Sequence, residues 1–323
     1  MPKKTKSRQK DKCTLRNEYK PRHAIMTHFL SLINKIDTRH ETIAAFDIST
    51  VDLKTVVMDV KRSVAHWDVH RNLSTRDRSR LRDSLQNLVV GVASSIGGFR
   101  YYQGVHEVCL VILQAFNGDT KSSIPICRAI FEMKFGSLAF SDFSASLTPL
   151  LEALHGLTAT LDPELAGILD QSGLGYNFAI PWILTWFAHS VDRYKILTGI
   201  FSYLLENKNV PAPLACVYLC CAVILQSRGK IVDQRHDSCV IFRTLQSCPE
   251  NTNWPLAKRE ASKIADVFPP EQLVYEFPNL RKTFHGKMSK GIKKVRMGVI
   301  FGICFLAFAV LEFQGKFLLR YFI

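Results

Sequence analysis

The sequence predicts an all-α fold: a multi-helix domain followed by a C-terminal membrane-anchor helix. Three observations carry this. Apolar residues recur at helical spacing through the middle of the chain, strand-like alternation is scarce, and a charge-free apolar run, Met297–Leu311, lies near the C-terminus. The chain has 323 residues, 47% of them hydrophobic, enough for one large core or two small ones.

In chain order, residues 1–23 are a basic tail read as disordered, and residues 24–280 are the helical body. Leu81, Leu85, Leu88, Val92 and Ile96 share one helical face. Ser74 or Thr75 can cap that helix, and Gly97-Gly98 can end it. Asn117–Ser123 is a polar loop with Gly118 and Asp119 as turn formers. Asp162-Pro163-Glu164 starts a short helix, a capping acid followed by proline at the first helical position, and Gly173 closes it. Pro181 opens another that carries Trp182, Trp186 and Phe187. Pro211–Gln226 is a long apolar helix with Gly229 just beyond it, and Gln246–Pro255, with two prolines, reads as a loop. No internal repeat is evident.

Residues 281–296 form a basic juxtamembrane segment, 297–315 a candidate transmembrane helix and 316–323 a short tail. Met297–Leu311 rises about 22 Å as a helix, short against a hydrocarbon core of about 30 Å. A thin bilayer with Lys316 snorkelling accommodates such a span. The alternative is an amphipathic or core helix. The five basic residues between Lys287 and Arg296 favour the anchor with the body on the cytosolic side.

The formal net charge is +14, yet it is concentrated at the ends. Residues 1–23 hold nine Lys/Arg against two acids, and residues 281–296 hold seven with no acid, so the body is near neutral. That distribution argues against the interleaved basic and aromatic face of a nucleic-acid groove, leaving a nucleic-acid binder a distant alternative, and suits anionic headgroups. Nine cysteines form no C-x-x-C pair. They are expected to be buried free thiols of a cytosolic body. The N-terminus has no apolar signal-peptide core.

Two short stretches carry the chemistry: Val57-Met58-Asp59-Val60-Lys61-Arg62-Ser63 and Tyr101-Tyr102-Gln103-Gly104-Val105. They resemble the second and third signature motifs, I-x-x-D-x-x-R and Y-x-Q-G, of the TBC domain of Rab GTPase-activating proteins. Two further segments, Ala179–His189 (Ala-Ile-Pro-Trp-Ile-Leu-Thr-Trp-Phe-Ala-His) and Phe268–Leu273 (Phe-Pro-Pro-Glu-Gln-Leu), resemble one ER-associated branch of that family acting on Rab1-like GTPases. The resemblance runs from about residue 50 to 275.

What it implies is a multi-helix TBC-type domain that binds a Rab in its GTP form and lends it two side chains in trans. By motif position Arg62 is the arginine finger and Gln103 the glutamine finger, with Asp59, Tyr101 and Gly104 in support. The GTP and Mg belong to the partner, so the chain has no cofactor of its own. It is no self-contained enzyme: it shows no phosphate-cradling loop, metal cluster or nucleophile triad. The implied location is the ER or early secretory membrane, tail-anchored, with the domain facing the cytosol.

The residues permit blander readings. Asp59 and Arg62 are also an ordinary i, i+3 ion pair. Gln103 is also a helix cap or bridge, and Tyr101, Tyr102, Trp182 and Trp186 read as core. His106-Glu107 is discounted as a pair, because adjacent helical residues diverge by about 100°. The family's first motif, R-x-x-x-W, is missing: the first tryptophan is Trp67. Ser63 stands where the family has threonine. The missing motif motivates the alternative of a non-catalytic Rab-binding membrane scaffold, and the apolar helices with the anchor motivate that of a purely structural membrane protein.

Overall fold

The computed structural model describes residues 24–38, 53–64, 67–140, 143–207 and 209–283, and among these there is no strand. The α-helices run α1 (Ala24–Ile33), α2 (Leu53–Ser63), α3 (Thr75–Ser95), α4 (Val105–Ala115), α5 (Thr120–Ile130), α6 (Phe143–Leu161) and α7 (Pro163–Gln171). They continue as α8 (Ile180–Thr185), α9 (Tyr194–Glu206), α10 (Ala212–Gln226), α11 (Arg228–Asp233), α12 (Ser238–Asn251), α13 (Trp254–Val267) and α14 (Pro270–Glu276).

The long apolar run has a simple physical role. Every residue from Ala212 to Leu225 is buried, and α10 packs against α6, α8, α9, α12 and α13. A helix apolar on all sides belongs at the centre. Its Cys216, Cys220 and Cys221 are buried free thiols, and burial pushes Cys221 up to about 12. Cys239 differs: it is exposed. At the N-terminal side α1 lies against α9, with Phe29 edge-on to Phe201 at 6.3 Å.

Caps start the helices where short polar residues precede apolar periodicity. Ser74 Oγ accepts from the Asp77 amide at 3.1 Å, and Asp162 accepts from Leu165 at 2.9 Å. Each such cap contributes about 1 kcal/mol. Asp119 caps α5, so the loop predicted over Asn117–Ser123 ends earlier, with Asn117 and Gly118 at positive φ forming its turn.

Three further boundaries differ from expectation. Gln246–Pro255 is not one loop: α12 continues through Pro249 to Asn251, and Pro255 sits in the first turn of α13 behind the Asn253 cap. Proline is tolerated there because Pro249 is near a helix end and Pro255 occupies a turn whose N–H groups need no helical partner. Gly229 does not stop a helix but lies inside α11.

The helix opened by Pro181 ends at Thr185, so Trp186 and Phe187 lie beyond it, in the left-handed region at φ 51° and 68°. Packing holds them there against a cost of about 1–2 kcal/mol each. Trp186 stacks on Phe135 at 4.5 Å and Phe187 meets Trp254 edge-on at 5.0 Å. Trp182 and Trp186 are core, at 1% and 0% exposure, as the sequence suggests.

The basic tail over 1–23 and the candidate anchor over 297–315 lie outside the described residues. So does most of the basic segment 281–296. Among the described residues no helix is long and apolar enough to cross a membrane.

Candidate functional site

An open groove of about 430 Å³ lies where three segments meet. Helix α2 contributes Asp59, Arg62 and Ser63. The turn into α4 contributes Tyr102 through Gly104, with His106 and Glu107. Helix α8 and its exit contribute Ile180, Pro181, Leu184, Thr185 and His189. Helix α4 packs against both α2 and α8, so its first turn is the middle of the groove.

Helix α2 is amphipathic. Val56 and Val60 face the core at 0% and 2% exposure, and this register carries Asp59 inward and Arg62 to the rim. The Asp59 side chain is 2% exposed and the Arg62 side chain 64%. An Arg62 Nη2 proton is donated to Asp59 Oδ1. A pair with one exposed member adds at most about 1 kcal/mol to stability. What it supplies is direction, one end of a mobile cation being tied to a fixed carboxylate.

Asp59 is itself held. Tyr101 donates its hydroxyl proton to Asp59 Oδ2 at 2.9 Å. Burial, reinforced by the Asp59 bond, raises the Tyr101 pKa far above the phenol range, so the proton stays. That proton is then unavailable to His106, whose Nδ1 lies 3.2 Å from the same hydroxyl. The Nδ1 must be the donor and Tyr101 the acceptor. Burial lowers the His106 pKa, though Glu107 and Asp59 oppose it. Burial thus favours the uncharged ring, whose Nε2 lies 3.9 Å from Glu107 Oε1.

Gly104 starts α4 at φ 118°, and a Cβ there would come within 2.8 Å of Thr185 Cγ2. Only glycine both adopts that φ and lets α4 approach α8 so closely. Tyr102 ties the same turn to α8 by donating to the Leu184 carbonyl at 3.2 Å. Gln103, between the two, is exposed and lines the groove. Asp59 and Gly104 line the groove, Tyr101 bonds Asp59 behind it, and Arg62 and Gln103 share the one concavity.

Sequence reasoning missed the far end. Glu107 accepts from His189 Nδ1 at 2.7 Å, and the histidine's backbone amide donates to Thr185 Oγ1 at 3.1 Å. His106 and Glu107, divergent neighbours on a helix, both line the groove. The divergence is real. Because the first turn of α4 is wedged between α2 and α8, one residue reaches toward each flank and neither faces away. Tyr101 and Tyr102 correct the core reading in part: their rings pack on the core, but their hydroxyls organise the site. The histidine ending the Ala179–His189 segment was the available signal for this end.

Comparison with known proteins covers the stretch of chain that holds the groove. The Rab-GTPase-TBC domain family model matches residues 32–232. The chain is 21% identical to TBC1 domain family member 20 of Homo sapiens over 226 residues, 70% of this chain and 54% of that one. It is 24% identical over 190 residues to GTPase-activating protein gyp10 of Schizosaccharomyces pombe, 59% of this chain and 48% of the relative. A shorter stretch of 144 residues is 27% identical to the TBC domain-containing protein kinase-like protein of Homo sapiens, covering 16% of it. The chain spans about half the length of the first two relatives.

Proposed function

We propose, starting from the fact that the chain belongs to the Rab-GTPase-TBC domain family, that it accelerates GTP hydrolysis by a Rab GTPase. In this reading Arg62 and Gln103 enter the partner's active site. The observation that carries it is their meeting in one open groove despite their separation in sequence.

The chemistry fits the two side chains. Negative charge builds on phosphoryl and leaving-group oxygens in the transition state, and a guanidinium placed there stabilises that state more than the ground state. An arginine supplied in trans contributes roughly 10³–10⁵ in rate, about 4–7 kcal/mol of barrier. The carboxamide of Gln103 offers an acceptor and two donors without net charge, suited to aligning water for in-line attack. Asp59, oriented by Tyr101, presents the guanidinium in advance, which reduces the ordering needed on docking. No cofactor of its own is required, since GTP and Mg arrive with the partner.

The finer proposal is a Rab1-like partner at ER or early secretory membranes, with the chain tail-anchored through 297–315. Support for it is the sequence resemblance and the basic segment before the apolar run. Detergent-free fractionation of the full chain against a version ending at residue 283 tests the anchor: equal partitioning to membranes removes it.

Single-turnover GTP hydrolysis with a panel of Rabs tests the activity. At least one Rab is expected to be accelerated by the wild type and not by Arg62→Ala. Gln103→Ala is expected to lose about 10²-fold. Arg62→Lys fails too, because an ammonium does not reproduce the planar fork. Nucleotide-dependent binding with no acceleration would instead identify a non-catalytic scaffold.

A further inference from the structure

At the end of the groove away from Arg62, we infer that His189 is a recognition residue: it presents Nε2–H to an anionic oxygen of the docked GTPase–nucleotide complex, and so makes association weaken as pH rises. The inference rests on the proposed function.

The geometry has three parts. His189 lines the groove with a side chain that is 55% exposed. Its Nδ1 is taken by Glu107 at 2.7 Å, while among the described residues nothing bonds its Nε2. Thr185 holds the main chain at His189 through the backbone amide, and Glu107 holds the ring through Nδ1. A ring held at one nitrogen and open at the other is preorganised to donate outward.

The electrostatics follow from Glu107. That carboxylate is 5% exposed, and its Oε2 has no partner among the described residues, so His189 is its main compensation. The bond from Glu107 raises the His189 pKa above the ordinary 6.5, with desolvation opposing. The other titratable groups are accounted for. Burial lowers the pKa of His106, on the same helix as Glu107, and raises those of Tyr101 and Tyr102; Asp59 and Arg62 on α2 pair with each other. Next along the chain, Asp192 and Arg193 lie near Arg71 and Glu250. Deprotonation of His189 leaves the groove one charge more negative. Any phosphate or carboxylate oxygen facing it is then repelled.

The competing role is structural, with His189 serving only as counter-ion to Glu107. Two variants separate them. Dissociation constants are measured between the full chain carrying Arg62→Ala and a Rab that the wild type accelerates, loaded with a non-hydrolysable GTP analogue, from pH 6.0 to 8.5. About ten-fold weaker binding is expected at the alkaline end, the size of one charge-assisted hydrogen bond. His189→Gln should be flat across the range. Glu107→Gln should move the midpoint to lower pH, a shift that a counter-ion role alone does not produce.

Steady-state rates with the Arg62 protein then locate the oxygen. A pH dependence that His189→Gln removes from kcat assigns a nucleotide phosphate; one removed from KM alone assigns a carboxylate of the GTPase. Identical pH dependence in wild type and His189→Gln overturns the inference while leaving the proposed function intact. No acceleration of any Rab overturns the function and this inference with it.

Discussion

Asp59 and Glu107 are both carboxylates buried in the wall of the same groove, at 1% and 4% exposure, and the protein treats them differently. Asp59 accepts from two donors, Arg62 and Tyr101. Glu107 accepts from one, His189, and its second oxygen is unpartnered among the described residues. A guanidinium and a high-pKa phenol never titrate near neutrality, so the two donors to Asp59 keep their charge. An imidazole does, so the Glu107 end is conditional. One groove therefore holds a permanent polar anchor beside an adjustable one.

The comparison is most exposed at Asp59. Asp59→Asn keeps the shape but removes the charge that orients Arg62, and should lower stimulated kcat about 100-fold. Glu107→Gln should leave kcat within a few-fold and act on association. Equal losses in single-turnover hydrolysis would erase the distinction. Gly104→Ala tests what holds the two ends together: the contact with Thr185 and the positive φ should cost about 2 kcal/mol in urea unfolding.

Tyr101→Phe removes one donor from Asp59 and frees His106 Nδ1. A loss of about 1 kcal/mol of stability is expected, with about ten-fold in stimulated rate. The smallest effect belongs to His189. Its folded pKa is raised, so its contribution to stability is full below 6.5 and disappears as pH rises through the folded value. His189→Gln should therefore cost under about 1 kcal/mol at pH 6, since the ring is half exposed, and nothing at pH 8.5. His106 runs the other way: its folded pKa is lowered, so its contribution is present above 6.5 and is lost on acidification.

How much of this was legible depended on whether a signal was local. The spacing of Asp59 and Arg62 places them on one helical face, so their pairing could be read directly. The apolar run over 211–226 announced a central helix for the same reason. Capping by Ser74 and Asp162 follows from side-chain chemistry within one turn. Tyr101 reaching Asp59 was implied only by two motifs in order, because the contact joins helices far apart in sequence. Glu107 meeting His189 had no local trace. Proline misled at Pro249, because its cost depends on position within a helix that the sequence did not delimit. Trp186 and Phe187 misled in the opposite direction. Nothing local stops α8 there; burial against Phe135 and Trp254 does.

Those two left-handed aromatics set where His189 can be. Had α8 run on without them, each further residue would have advanced about 1.5 Å along the helix axis. The imidazole would then have been carried past Glu107 instead of doubling back onto it. The histidine's address is therefore written in the hydrophobic interior, and trimming Trp254, which packs edge-on against Phe187, should slacken the rim of the groove from behind.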